Sequence, residues 1–79
     1  MAQWKTIAQK IRRAPRAPGV YVFYRAQQPL YIGKASNLRN RLTSYLTPAD
    51  VKTERLQREA TRLITTTLRS EIEALLVES

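Results

Sequence analysis

The chain has no cysteine and no histidine among its 79 residues. That excludes disulfides, thiol chemistry, structural zinc of the Cys/His type and any histidine-based triad. Chemistry, if there is any, must run on Tyr, Lys, Arg, Glu and backbone groups. Long apolar runs are missing too, so neither a membrane-spanning helix nor the apolar core of a secretory signal is expected. With no cysteine to report on redox environment, the cytoplasm is the default location. Acids are absent from a whole stretch: between Met1 and Ala49 stand Lys5, Lys10, Arg12, Arg13, Arg16, Arg25, Lys34, Arg39 and Arg41, with no Asp or Glu. From Asp50 onward bases and acids nearly balance, and the whole chain carries a formal net charge of +8. One-sided basicity in a segment with strand and helix patterning points to a folded surface facing a polyanion, and nucleic acid is the leading partner.

What is present, 43% hydrophobic and 25% charged residues, suits one small globular domain with a thin core. Trp4, Ile7, Ala8 and Ile11 share one face of a helix that should stop before Pro15. Arg13 to Gly19, with two prolines, reads as an extended connector. Gly19 to Tyr24 then reads as a strand with Val20 and Val22 opposite Tyr21 and Phe23. After a loop over Arg25 to Gln28, Pro29 to Lys34 supplies a second, antiparallel strand with Leu30 and Ile32 opposite Tyr31. Ser36 is the expected N-cap of a helix from Asn37 to Leu46, whose apolar stripe is Leu38, Leu42, Tyr45 and Leu46. Beside the stripe runs a row of Asn37, Arg41 and Tyr45.

Thr47 and Pro48, followed by Asp50, mark the start of another helix, exposed and structural, burying Val51, Leu56, Ala60 and Leu63. Its expected i, i+4 ion pairs are Glu54 with Arg58 and Arg55 with Glu59. Leu63 to Leu68 is a third strand beside the hairpin. A capping box over Ser70 to Glu73 opens a last helix that buries Ile72, Leu75 and Leu76. That helix reaches Ser79 after about two turns with no Gly or Asn to end it, so residues 1–79 are expected to form a single domain cut within its last helix. The fold class expected is α+β, a small three-stranded antiparallel sheet flanked by helices.

Two strands each carry a tyrosine with a neighbouring glycine, Gly19-Val20-Tyr21 and Tyr31-Ile32-Gly33, and Lys34 follows at once. On these residues the chain resembles the GIY-YIG nuclease domain. The longer runs PGVYVFY and PLYIGKASNLRNRLTSYL are most similar to the N-terminal nuclease domain of the UvrC family of bacterial excision-repair endonucleases, and the terminal SEIEALLVE resembles that family's segment around its metal-binding glutamate. GVY in place of GIY is a conservative departure. The resemblance implies a site of Tyr21, Tyr31, Lys34, Arg41, Tyr45 and Glu78, in which Arg41 contacts phosphate and Glu78 holds one divalent metal, Mg²⁺ or Mn²⁺. It also implies an asparagine beyond Ser79, incision on the 3′ side of damaged bases in DNA, and a damage-recognition partner protein. Arg39, with Lys34 and Arg41, is assigned to backbone electrostatics.

The residues suit that chemistry. Hydrolysing a phosphodiester needs a base for water, a cation for the charge developing on phosphorus, and help for the leaving oxygen. Without histidine the base is a carboxylate or a tyrosine, and an unperturbed phenol, with a pKa of about 10, needs neighbouring cations to serve at neutral pH. Arg41 offers a planar guanidinium for two phosphate oxygens, and Glu78 a hard oxygen ligand. The rival readings are a stand-alone or mobile-element GIY-YIG endonuclease and a non-catalytic nucleic-acid-binding domain, for which Tyr21 and Tyr31 are strand aromatics pairing across a hairpin. A monomer is the default oligomeric state.

Overall fold

Alternation along one strand organises the molecule. In the computed structural model, which describes residues 2–47 and 50–68, β1 (Gly19–Arg25) lies at the centre of a three-stranded sheet. It is flanked by β2 (Gln28–Ala35) and β3 (Arg62–Thr67), both antiparallel to it, in the order β2-β1-β3. Gly19, Tyr21 and Phe23 are buried on one face of β1 while Val20, Val22 and Tyr24 lie half-buried on the other, the pattern expected of a strand with a period of two. Tyr21 stands between Gly33 and Thr65, and Phe23 between Tyr31 and Leu63.

Helices cover the Tyr21 and Phe23 face. α1 (Ala2–Arg12) buries Ile7, Ala8 and Ile11, and Trp4 stacks on Phe23 with ring centroids 6.2 Å apart. α2 (Leu38–Thr43) buries Leu38 and Leu42 and runs into a single 3₁₀ turn over Ser44–Leu46, which buries Tyr45. α3 (Val51–Glu59) adds Thr53 and Leu56, and Ala60 closes it. Ile7, Ile11, Leu38, Leu42, Tyr45, Leu56, Ala60 and Leu63 form one cluster around Tyr21 and Phe23. Fully buried leucines such as Leu38 and Leu42 cost about 2–5 kcal/mol each when cut to alanine, a large share of what a domain this size has.

The α+β class and the three-stranded antiparallel sheet stand as expected from the sequence, and several local readings change. The hairpin loop is two residues long, not four, and Ala26 sits there at φ 54, in the left-handed region. The Thr61 hydroxyl accepts a hydrogen bond from the Ala26 N–H at 2.8 Å and anchors this turn without the usual Gly or Asn. Pairing slips between Phe23 and Tyr24, leaving Leu30 outside the register, so Leu30 and Tyr31 both pack against the core while Ile32 is 62% exposed. Asn37, not Ser36, caps α2, its side chain accepting from the Asn40 N–H at 3.1 Å. Asp50, not Thr47, caps α3, accepting from the Thr53 N–H at 2.8 Å. Val51 is exposed, and Thr53 takes the buried place expected for it. Arg55 pairs with Glu59, whereas Glu54 and Arg58 form no ion pair among the described residues. The capping box at Ser70, the last helix and Glu78 lie outside the described residues.

Candidate active site

A glycine makes room for the first tyrosine. Tyr21 points from β1 across Gly33 of β2, where any Cβ would run into the phenol ring and hydroxyl. The ring is fully buried, and its hydroxyl is 3.0 Å from that of Tyr45. Arg41, in the last turn of α2, donates from Nε to the Tyr21 oxygen at 3.3 Å. Tyr31 of β2 completes the group, its ring centroid 6.3 Å from that of Tyr21 and 6.4 Å from that of Tyr45. Tyr21 and Tyr45 are 6.0 Å apart and nearly edge to face, a favourable geometry for aromatic quadrupoles.

The three phenols sit in different electrostatic settings. Burial pushes the Tyr45 hydroxyl far above the ordinary phenol value, and its hydrogen bond with Tyr21 favours the neutral form further. Tyr45 therefore keeps its proton and belongs to the core as well as to the site. Tyr31 moves the other way. Burial alone would raise its pKa, but the Lys52 ammonium, through polar contact and charge, together with the Tyr45 hydroxyl and the charge of Arg41, brings it below the ordinary value. The bond to Tyr21 also raises the pKa of Arg41, which stays charged throughout.

Lys34 and Arg41 line one open cleft at the junction of β2 and α2, with Asn37, Asn40 and Ser44 alongside. The cleft therefore presents two cations beside a cluster of phenols, a combination that can bind a phosphodiester and take a proton from water. Arg39 is placed differently: its Nε donates to the Ala14 carbonyl at 2.7 Å and ties α2 to the connector after α1. Among the described residues no group of three His, Cys, Asp or Glu gathers as a metal site. Asp50 is used as a helix cap and Glu59 by two arginines.

One member escaped the sequence reading. Lys52, in the first turn of α3, holds its ammonium 4.4 Å from the centroid of the Tyr31 ring and 5.9 Å from that of Tyr45. Its signal was the spacing Lys52, Leu56, Ala60, an i, i+4, i+8 row that puts Lys52 on the side of α3 that is buried further along.

Sheet, tyrosine trio and basic cleft together define a GIY-YIG-type domain. The profile of the UvrC-like GIY-YIG domain matches residues 17–79. The chain belongs to the UvrC-like GIY-YIG domain family. It is 47% identical over 73 residues to the UvrABC system protein C of Thermotoga maritima, covering 92% of this chain and 13% of that protein. With its counterpart from Thermus thermophilus the identity is 44% over 72 residues, covering 91% and 12%. The chain thus spans about an eighth of the length of these relatives. Among solved structures, the GIY-YIG N-terminal endonuclease domain of UvrC from Thermotoga maritima, bound to magnesium as its catalytic divalent cation, superposes with a TM-score of 0.89 at 46% identity, covering 94% of this chain and 83% of that one. A point mutant of the same domain, also bound to its catalytic divalent cation, gives the same TM-score at 44% identity, covering 94% and 82%.

Proposed function

We propose that the domain is the nuclease module of a UvrC-type excision-repair protein, cutting one DNA strand by metal-dependent hydrolysis of a phosphodiester. Tyr31 takes the proton from the attacking water. Among the three clustered phenols it alone is half-buried rather than buried, and neighbouring cations hold it below its ordinary pKa; that observation carries the assignment. Arg41 and Lys34 bind the non-bridging phosphate oxygens and offset charge as it grows on phosphorus. Tyr21 orients Arg41 by accepting its Nε–H, and Tyr45, kept protonated, shares a hydrogen bond with the Tyr21 hydroxyl.

Among the described residues Asp50 caps α3, Glu59 meets two arginines and no group of potential ligands gathers as a metal site, and the resemblance implies Glu78 as the ligand. A carboxylate oxygen suits Mg²⁺ or Mn²⁺, with water and substrate phosphate as further ligands. When bound, such an ion supplies Lewis-acid stabilisation of the phosphate and leaving oxygen. The name of the relatives, UvrABC system protein C, supports excision repair as the setting. There the module incises on the 3′ side of a damaged base, directed by a damage-recognition partner.

The reading is tested by plasmid nicking with Mg²⁺. A Tyr31→Phe protein that keeps its fold and DNA affinity is expected to lose at least about 10²-fold in rate, the usual contribution of a positioned base. Glu78→Gln is expected to lose the response to Mg²⁺. Full activity of Tyr31→Phe would overturn the assignment.

A further inference from the structure

Several basic side chains outside the cleft have visible occupations within the fold. Both ion pairs among the described residues converge on Glu59, which takes Arg25 at 3.4 Å and Arg55 at 3.1 Å. Lys10 donates to the Leu63 carbonyl and Arg62 lies on the Tyr24 ring. Lys52 joins neither ion pair. Asp50, two residues earlier, spends its carboxylate on the Thr53 N–H. The helix register instead carries the Lys52 ammonium back over the rings of Tyr31 and Tyr45.

We propose that Lys52 is a positioning residue for Tyr31: presented by the first turn of α3, its ammonium lies over the phenol ring, holds it in place and supplies positive charge beside the proton-accepting oxygen. This rests on, and deepens, the reading of Tyr31 as the base. The groups that face Tyr31 come from every element packed on it: Tyr21 from β1, Arg41 from α2, Tyr45 from the 3₁₀ turn and Lys52 from α3, with Lys34 further along its own strand. Of these, Tyr45 stays neutral and Arg41 directs its Nε to Tyr21, which leaves Lys52 as the cation lying on the Tyr31 ring itself. An opposite charge at such range favours the ionised form of an acid. The arrangement also ties the site to α3, an element that contributes nothing to the two glycine-tyrosine motifs.

The sign follows directly. The deprotonated phenol is the active form, so a lower Tyr31 pKa extends activity to lower pH, and removing Lys52 must move the acidic limb of the pH–rate profile upward. Lys52→Gln and Lys52→Arg proteins are titrated by ultraviolet phenolate absorbance without metal or DNA, the Tyr31→Phe protein giving the blank. Lys52→Gln is expected to raise the Tyr31 midpoint by about one pH unit, and Lys52→Arg to keep most of the parent value. In plasmid nicking the Lys52→Gln limb should move by the same amount, a loss of about tenfold below the midpoint that recovers at higher pH. An unmoved Tyr31 midpoint overturns the proposal, and so does a rate loss uniform across pH. Weakened DNA binding with an unmoved midpoint would make Lys52 a plain phosphate contact and overturn it equally. A shifted midpoint together with full nicking by Tyr31→Phe would remove the base assignment while leaving the Lys52–Tyr31 contact in place.

Discussion

Tyr21 owes its position to a missing methyl group. It faces Gly33 across the β1–β2 pair, and a side chain there would occupy the space of the Tyr21 ring and hydroxyl. Gly33→Ala is therefore an overpacking change, expected to cost about 1–3 kcal/mol. In a domain of this size each kcal/mol lowers the thermal midpoint by about 4–8 °C. The chemical effect should exceed the stability effect, because a displaced phenol loses both the Arg41 donor and the Tyr45 hydroxyl. Circular dichroism melting, with nicking measured well below the midpoint, separates the two. A Gly33→Ala protein as stable and as active as the parent would show that the ring yields without consequence. The glycine of the second motif is thus explained by packing of the first motif's tyrosine, and the two half-motifs are one structural device.

Elements decide which residues meet, and here sequence reading had uneven reach. β1 was legible because Tyr21 and Phe23 alternate with Val20 and Val22, and the burial follows that alternation. The buried stripe of Leu38, Leu42 and Tyr45 was equally plain from its spacing. The Ala26 turn was hidden because its stabiliser, Thr61, is far away in sequence, and the slip at Leu30 because a bulge leaves no reliable mark in a short strand. Lys52 is hard to single out because it is itself exposed, and only its i, i+4, i+8 row with Leu56 and Ala60 turns its stem toward the tyrosines. The cap of α2 was misread by one residue, and it matters: Asn37 fixes the start of the short helix whose last turn carries Arg41. Asn37→Ala is expected to cost about 1 kcal/mol, the usual loss of an N-cap side chain, whereas Ser36→Ala should be near neutral. Parallel melts of the two proteins check this. Equal destabilisation would mean that Ser36 shares the capping.

At the scale of the whole molecule, a net charge of +8 overstates the surface available to DNA. Arg25 and Arg55 are drawn to Glu59, Arg39 to the Ala14 carbonyl, Lys10 to the Leu63 carbonyl and Arg62 to Tyr24, so part of the basic complement serves the fold. Lys34 and Arg41 line the open cleft, where Arg41 also donates to Tyr21. If affinity comes from phosphates neutralised there, each such contact releases condensed counterions and adds about 0.9 to the slope of log K against log salt for duplex DNA. Arg41→Gln should therefore weaken binding and flatten that slope by about one unit. Arg55→Gln, which removes the same formal charge, should leave the slope nearly unchanged, because its guanidinium meets a carboxylate at 3.1 Å and lies outside the cleft. Fluorescence anisotropy of a short duplex over a salt series distinguishes the two cases. Equal flattening by both substitutions would mean that the net charge, spread over the surface, does the binding, and the cleft would then be left with orientation of the scissile phosphate as its contribution.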